Sequence, residues 1–155
     1  MKDVNNDSCT FCKKEKETLT HVFAHCEVVN VFWQRFQTQY KFVPELNAFS
    51  KCFGILDLNA DHSTLVNQIL ILMRRYIYNC RMSKSDLSLD GFKNMIDDTI
   101  KLEYWCAQRK AKLNIHFKKW DPSFIIKWCL APDSLRRGDW PSLWTSAGCG
   151  VGPFV

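Results

Sequence analysis

Cys9, Cys12, His21 and Cys26 stand close together near the start of the chain, at the spacing C-x2-C-x8-H-x4-C. Thiolate sulfur and imidazole nitrogen are the donors a tetrahedral zinc ion prefers, and four protein ligands leave no open position for a substrate or a reactive water. The chemistry such a set offers is structural. A C-x-x-C pair suits it because the two intervening residues, here Thr10 and Phe11, turn the backbone enough for both sulfurs to converge. The second half needs a different geometry. On one uninterrupted helix His21 and Cys26 would point about 140° apart, since each residue turns about 100°. The pattern therefore predicts a bend or a helix end close to Cys26. His25 is the alternative imidazole, but it is the immediate neighbour of Cys26, and adjacent helical residues point in different directions, which favours His21.

Disulfides are the competing use of these cysteines, and eight is an even count, as a disulfide framework would have. The opening Met-Lys-Asp-Val-Asn-Asn-Asp is polar and carries no apolar h-region, so the expectation is an intracellular protein, cytoplasmic or nuclear, in which thiols stay reduced. Zinc is favoured. Cys52, Cys80, Cys106 and Cys129 lie in apolar surroundings and read as free buried thiols, while Cys149 sits in a glycine-rich tail.

The elements that must position these ligands follow from composition and periodicity. A chain of 155 residues with 46% apolar content is long enough for one domain with a real core and a small metal module attached. Its aromatic richness argues against wholesale disorder. No run approaches the roughly 18 apolar residues of a membrane span, so a soluble protein is expected. After the cysteine cluster, Val29, Phe32, Trp33, Phe36 and Tyr40 recur in helical steps, which predicts an amphipathic helix from near Glu27 that stops before Pro44. Residues 41–61 contain Pro44, Gly54 and several Asn and Asp, and read as a linker loop with short extended pieces. A second helix should start from Asp61 or Ser63 and reach about Arg81, burying Leu65, Ile69, Leu72, Met73, Tyr76 and Ile77. A third starts at Ser88 as N-cap, with Asp90 in its first turn and Leu87 and Phe92 as a hydrophobic staple, and could run to Trp120 with a break at Asn114 or Ile115. Asp97-Asp98 on it read as a solvated helix face. The tail, 121–155, holds most of the prolines and glycines and no sustained period, and reads as weakly ordered. The expectation is a mainly α protein divided as 1–40 metal module with its following helix, 41–61 linker, 62–120 helical basic region and 121–155 irregular tail.

Charge is uneven. The formal total is +5, and Lys101, Arg109, Lys110, Lys112, Lys118 and Lys119 between Lys101 and Trp120 face the single anion Glu103.

Cys-Thr-Phe-Cys at 9–12, Glu17-Thr18-Leu19, His21-Val22-Phe23, Cys26 and Val31-Phe32-Trp33 together resemble the zinc-binding domain that follows the polymerase in non-LTR (LINE-type) retrotransposon reverse transcriptases. Ile77-Tyr78-Asn79-Cys80-Arg81 and Phe117-Lys118-Lys119-Trp120 resemble the C-terminal ends of such proteins. The resemblance covers about residues 9–120. It implies a zinc cofactor on the four ligands, RNA or DNA as partner during target-primed reverse transcription, and a reverse transcriptase domain in cis or in trans. The family's proline after the last cysteine is replaced here by Glu27-Val28, and the polymerase's aromatic-x-Asp-Asp motif is not matched.

The first functional expectation is thus a non-enzymatic nucleic-acid-binding module. Arg74, Arg75, Arg81, Lys101, Arg109, Lys110, Lys112, Lys118 and Lys119 are the candidate phosphate contacts, with Phe11, Tyr104 and Trp105 as candidate stacking rings. The alternatives are a structural or protein-interaction module that buttressed a polymerase domain, and an orphan fragment without independent function. No membrane and no small-molecule substrate are expected. An enzyme reading fares poorly: His25-Cys26-Glu27 spells the H-x-E of zinc deaminases, but their C-x-x-C follows that motif, whereas Cys9 and Cys12 precede it.

Overall fold

The apolar steps fold as helices. A computed structural model of the protein describes residues 7–56 and 60–120, with the backbone alone for 60–63. These residues belong to one compact unit, Met1–Asp121. The tail expected to be irregular, with Cys129 and Cys149, lies outside the described residues, as do the side chains of the candidate caps Asp61 and Ser63. The order is a turn of π-helix at His21–His25, then α1 (Glu27–Gln39), α2 (Ala48–Phe53), α3 (Ala60–Ser83), α4 (Leu89–Arg109) and α5 (Leu113–Lys119). The protein is mainly α, and the one β-type pairing among the described residues is an isolated antiparallel bridge between Ser8 and Lys16. No helix among them is long and apolar enough to cross a membrane.

The core forms where three amphipathic faces meet. Val29, Phe32, Trp33 and Phe36 of α1, Ile69, Leu70, Met73 and Ile77 of α3, and Phe92, Ile96 and Ile100 of α4 are all buried. Phe92 is the centre of this cluster: its ring lies 6.3 Å from Phe32, 5.6 Å from Phe36 and 5.6 Å from Tyr76. Truncating so enclosed a ring to alanine typically costs about 3–5 kcal/mol. The start of α4 is set as the sequence predicts, with the Ser88 hydroxyl accepting from Gly91 N–H at 3.4 Å. A Cβ at Gly91 would meet the Tyr76 hydroxyl, which accepts from Ser88 N–H at 3.2 Å, so a larger residue there would displace that ring.

Four local expectations are corrected. The stretch read as a loop contains α2, capped by Asn47, whose Oδ1 accepts from Ser50 N–H at 2.8 Å. α2 ends at Gly54, in the left-handed region at φ 94°, and the next residue is clamped by α3: Asn67 Oδ1 accepts from Ile55 N–H at 2.8 Å and its Nδ2 donates to Ile55 C=O at 2.9 Å. The break after α4 falls at Lys110–Lys112, not at Asn114 or Ile115, and it is made by Ala111 at φ 51°. A single left-handed residue reverses the chain, so α5 folds back along the last turns of α4. Asp97, read as solvated, is buried, while its neighbour Asp98 is exposed; a helix turns by about 100° per residue, so adjacent aspartates need not share a face. Cys106, read as a buried thiol, is exposed on α4, whereas Cys80 is buried and Cys52 half-buried.

Candidate metal centre

The four residues singled out by spacing converge. One ligand atom from each of Cys9, Cys12, His21 and Cys26 lies within 4.8 Å of all the others, and the group could hold a metal ion. Each half is shaped by a different piece of backbone. Cys9 and Cys12 sit in a tight turn in which Lys13 N–H donates to Cys9 C=O at 2.9 Å and Cys9 N–H to Glu15 C=O at 2.7 Å. Lys13 closes that turn at φ 59°.

His21 and Cys26 are joined by the π turn. Cys26 N–H donates to His21 C=O at 2.6 Å, an i→i+5 bond. The wider turn brings residues five apart back towards one side, which an α-helix would not do. Cys26 itself is extended, at φ −60° and ψ 124°, and is the N-cap of α1. Bend and helix end thus coincide at the residue where the ligand spacing requires them, without a proline. His21 is buried and its Nε2 lies 3.4 Å from Cys12 Sγ, whereas His25 is exposed at the end of the same turn.

The distances fit a metal of zinc's size. With Zn–S near 2.3 Å in a tetrahedron, two sulfurs should stand about 3.8 Å apart. Cys9 Sγ and Cys26 Sγ are 3.8 Å apart, far too long for a disulfide. The electrostatics suit thiolate ligands unevenly. Backbone N–H groups of Lys14 and Glu15 directed at Cys12 bring its thiol down to about 6. Cys26 is pushed up to about 11, because burial outweighs the N–H groups of Val29 and Val28 at the start of α1; these approach its sulfur, although none makes a hydrogen bond of ordinary geometry.

Around the ligands lies a supporting layer. Glu15 Oε2 is 3.0 Å from His21 Nδ1, off the N–H direction, so the contact is a charge approach rather than a formed hydrogen bond. A carboxylate beside the distal ring nitrogen is the usual companion of a histidine that ligates through the other one. Thr18 Oγ1 accepts from His21 N–H at 3.0 Å and starts the turn. Glu17 accepts from Thr10 N–H, inside the C-x-x-C turn, at 2.8 Å, and its other oxygen takes Arg81 Nε at 2.6 Å, with the Arg81 Nη2 group closing on the same oxygen. The guanidinium beside it holds the Glu17 carboxyl down at about 2. Trp33, fully buried, donates its indole N–H to Phe23 C=O at 3.0 Å and fixes the π turn against α1.

The candidate nucleic-acid residues divide into two groups. Arg81 is committed to Glu17, Lys119 Nζ pairs with Glu103 at 2.8 Å, half-buried Arg74 donates to Lys51 C=O at 3.3 Å, and Lys101 is half-buried with an interaction of its own. Arg75, Arg109, Lys110, Lys112 and Lys118 are exposed and form no ion pair among the described residues. Of the candidate stacking rings, Phe11 and Tyr104 are half-buried and Trp105 is exposed. Glu15 and the Glu17–Arg81 tie carried no spacing signal; the only hint was the Glu17-Thr18 pair within the family-like run. No family model, no curated protein and no solved structure matches this chain.

Proposed function

We propose that the chain is a non-catalytic zinc-binding module whose helical unit contacts RNA or DNA through the basic end formed by α4 and α5. The observation that carries the metal half is the convergence of three sulfurs and one imidazole nitrogen within 4.8 Å, with Cys9 and Cys26 fully enclosed. Zinc, when bound there, supplies a cross-link, because four protein donors complete its tetrahedron. Cys9 and Cys12 bring the turn, His21 and Cys26 bring the π turn and the head of α1, and Glu17 joins this knot to α3. The nucleic-acid half is supported by exposed Arg109, Lys110, Lys112 and Lys118, where cations can displace counterions from phosphates. The resemblance to the domain behind the polymerase of LINE-type reverse transcriptases supplies the setting: assistance to reverse transcription, with a polymerase domain in cis or in trans as partner.

The test has two arms. The purified chain should carry one zinc per molecule, measured by elemental analysis, and Cys12→Ser or His21→Ala should lower that ratio; unchanged metal content in both variants refutes the ligand set. The chain should also bind a short RNA with a salt-dependent affinity, and joint replacement of Arg109, Lys110 and Lys112 by Gln should reduce the salt slope by up to about three. An unchanged slope means that this end does not touch phosphates.

A second reading, an interaction module that buttresses a polymerase, has its own observation. Ile71, Tyr78 and Met82 recur on one face of α3 with exposures of 52, 47 and 61%, and Leu19 next to the knot is 76% exposed. Apolar side chains grouped on a surface mark contact sites. Self-association of the isolated chain without RNA binding would favour this reading over the first.

A further inference from the structure

Trp105 differs from the other tryptophans among the described residues in its exposure. The two other tryptophans among the described residues, Trp33 and Trp120, are fully buried, and each donates its indole N–H, to Phe23 C=O at 3.0 Å and to Glu103 Oε2 at 2.7 Å. Trp105 is 54% exposed and leaves its ring towards solvent. Its position on α4 puts Arg109 one turn further along the same face, about 6 Å on at 1.5 Å per residue, which is the scale of one nucleotide. Beyond Arg109 come the exposed Lys110 and Lys112 at the reversal around Ala111.

Two features make this a platform rather than a loose side chain. The Trp105 ring meets Tyr104 edge-on at 6.1 Å, and Tyr104 is pinned in turn by His116 at 5.7 Å and Phe117 at 6.4 Å from α5. The fold-back of α5 therefore stiffens the helix turn that carries the ring. The only anion between Lys101 and Trp120, Glu103, is occupied by Lys119 Nζ and the Trp120 indole N–H, so its charge is offset and does not oppose a polyanion. Exposed Asp98, two turns earlier on α4, marks the end of the favourable strip.

Resting on the nucleic-acid reading above, we propose that Trp105 stacks on an unpaired base of a strand whose phosphates are held by Arg109, Lys110 and Lys112, so that this end of the protein selects single strands over duplex. Every base presents a π-face to such a ring, and a duplex buries those faces, whereas its phosphates remain available to the cations. Ring and charge therefore separate experimentally.

The experiment measures binding of the full chain, wild type, Trp105→Ala and Trp105→Phe, to a labelled oligouridine of about twelve nucleotides and to a duplex of the same length, across a salt series. The expected result is roughly tenfold weaker single-strand binding for Trp105→Ala, largely restored in Trp105→Phe, with duplex affinity and both salt slopes unchanged. Because the ring is exposed, the fold should survive, which circular dichroism checks. Wild-type affinity of Trp105→Ala for the single strand overturns the stacking role while leaving the phosphate reading intact. Equal loss on strand and duplex, or relief of self-association by the substitution, also overturns it. Absence of binding by wild type to either oligonucleotide removes the nucleic-acid reading itself.

Discussion

The metal knot at residues 9–26 and the α4–α5 hairpin at 89–120 are both small structures in which the chain turns sharply, and they are held by different physics. The knot buries Val22 and Ala24 beside its ligands and packs on α1 and α2. It gathers four candidate ligand atoms through a π turn whose widened bond suits their spacing, and it is tied by polar contacts such as Thr10–Glu17–Arg81. The hairpin is held by side-chain contacts. Tyr104, His116 and Phe117 stack across the reversal, and Trp120 closes it with its ring fully buried and its indole N–H on Glu103. The chain thus makes one sharp turn by gathering four candidate metal ligands and the other by packing aromatic rings.

The largest effect that separates the two regions is loss of the metal. Structural zinc contributes roughly 10–16 kcal/mol of apparent binding free energy in small fingers near neutral pH, and so short a segment has little to replace it. Chelation, or Cys12→Ser, is expected to abolish hydrogen-exchange protection over 9–26 and to loosen α2, which packs on the π turn, while α4 and α5 keep theirs. Loss of protection throughout α4 and α5 on chelation would mean that the knot nucleates the whole unit and would remove the contrast. Retention of protection over 9–26 without metal would mean that Trp33 and the polar ties alone suffice.

A smaller effect tests whether the knot is tied to the helical core through one ion pair. Glu17→Gln keeps an acceptor for Thr10 N–H but removes the charge facing Arg81, whose side chain is one-third exposed. A charge-assisted bond in such a half-buried setting is worth about 1–2 kcal/mol after allowance for solvent. Chemical denaturation of Glu17→Gln, Arg81→Met and the double variant should give a coupling energy of that size, with metal content unchanged. Additive effects would assign the link between knot and α3 to packing instead.

The distribution of what the sequence made legible follows the same division. The cluster of Cys9, Cys12, His21 and Cys26 could be named from residue type and spacing, because a tetrahedral metal accepts few donors and the chain brings these four together. The buried faces of α1, α3 and α4 were legible from periodicity, since burial in a helix repeats with the turn. What escaped was set by single backbone angles or by pairs far apart in the chain. Ala111 adopts a left-handed conformation with no glycine to announce it, which moved the end of α4 upstream of the expected break. Arg81, read as a phosphate contact from its charge, answers to Glu17 sixty-four residues earlier, and no local pattern encodes such a pairing. Of the adjacent candidate rings Tyr104 and Trp105, the sequence could not say which would stay exposed. Residue type alone favours burial of tryptophan, and only the path of α5 decides which of Tyr104 and Trp105 is covered.

The smallest expected effect concerns acid, and it sharpens the comparison because the two regions should respond through different groups. His116 is buried at the hairpin with neither ring nitrogen hydrogen-bonded, and burial lowers its pKa below the ordinary 6.5. Glu103 opposes that shift and Lys119 adds to it. In the unfolded chain His116 would take up its proton first as pH falls, so the folded hairpin loses stability below about 6.5, and the loss levels off once the folded group itself titrates. Above that pH both states are neutral and the contribution is flat. Hydrogen exchange over 113–119 should therefore accelerate as pH drops from 7 to 5, after correction for intrinsic exchange, and His116→Phe, which keeps a ring beside Tyr104, should remove that dependence without altering the metal content. Segment 9–26 keeps its own acid response in the variant, because protonation of its thiolates and imidazole competes with the metal. If His116→Phe leaves the pH dependence of 113–119 in place, the hairpin's acid sensitivity is transmitted from the knot, and the two regions are not the independent units that their different chemistry implies.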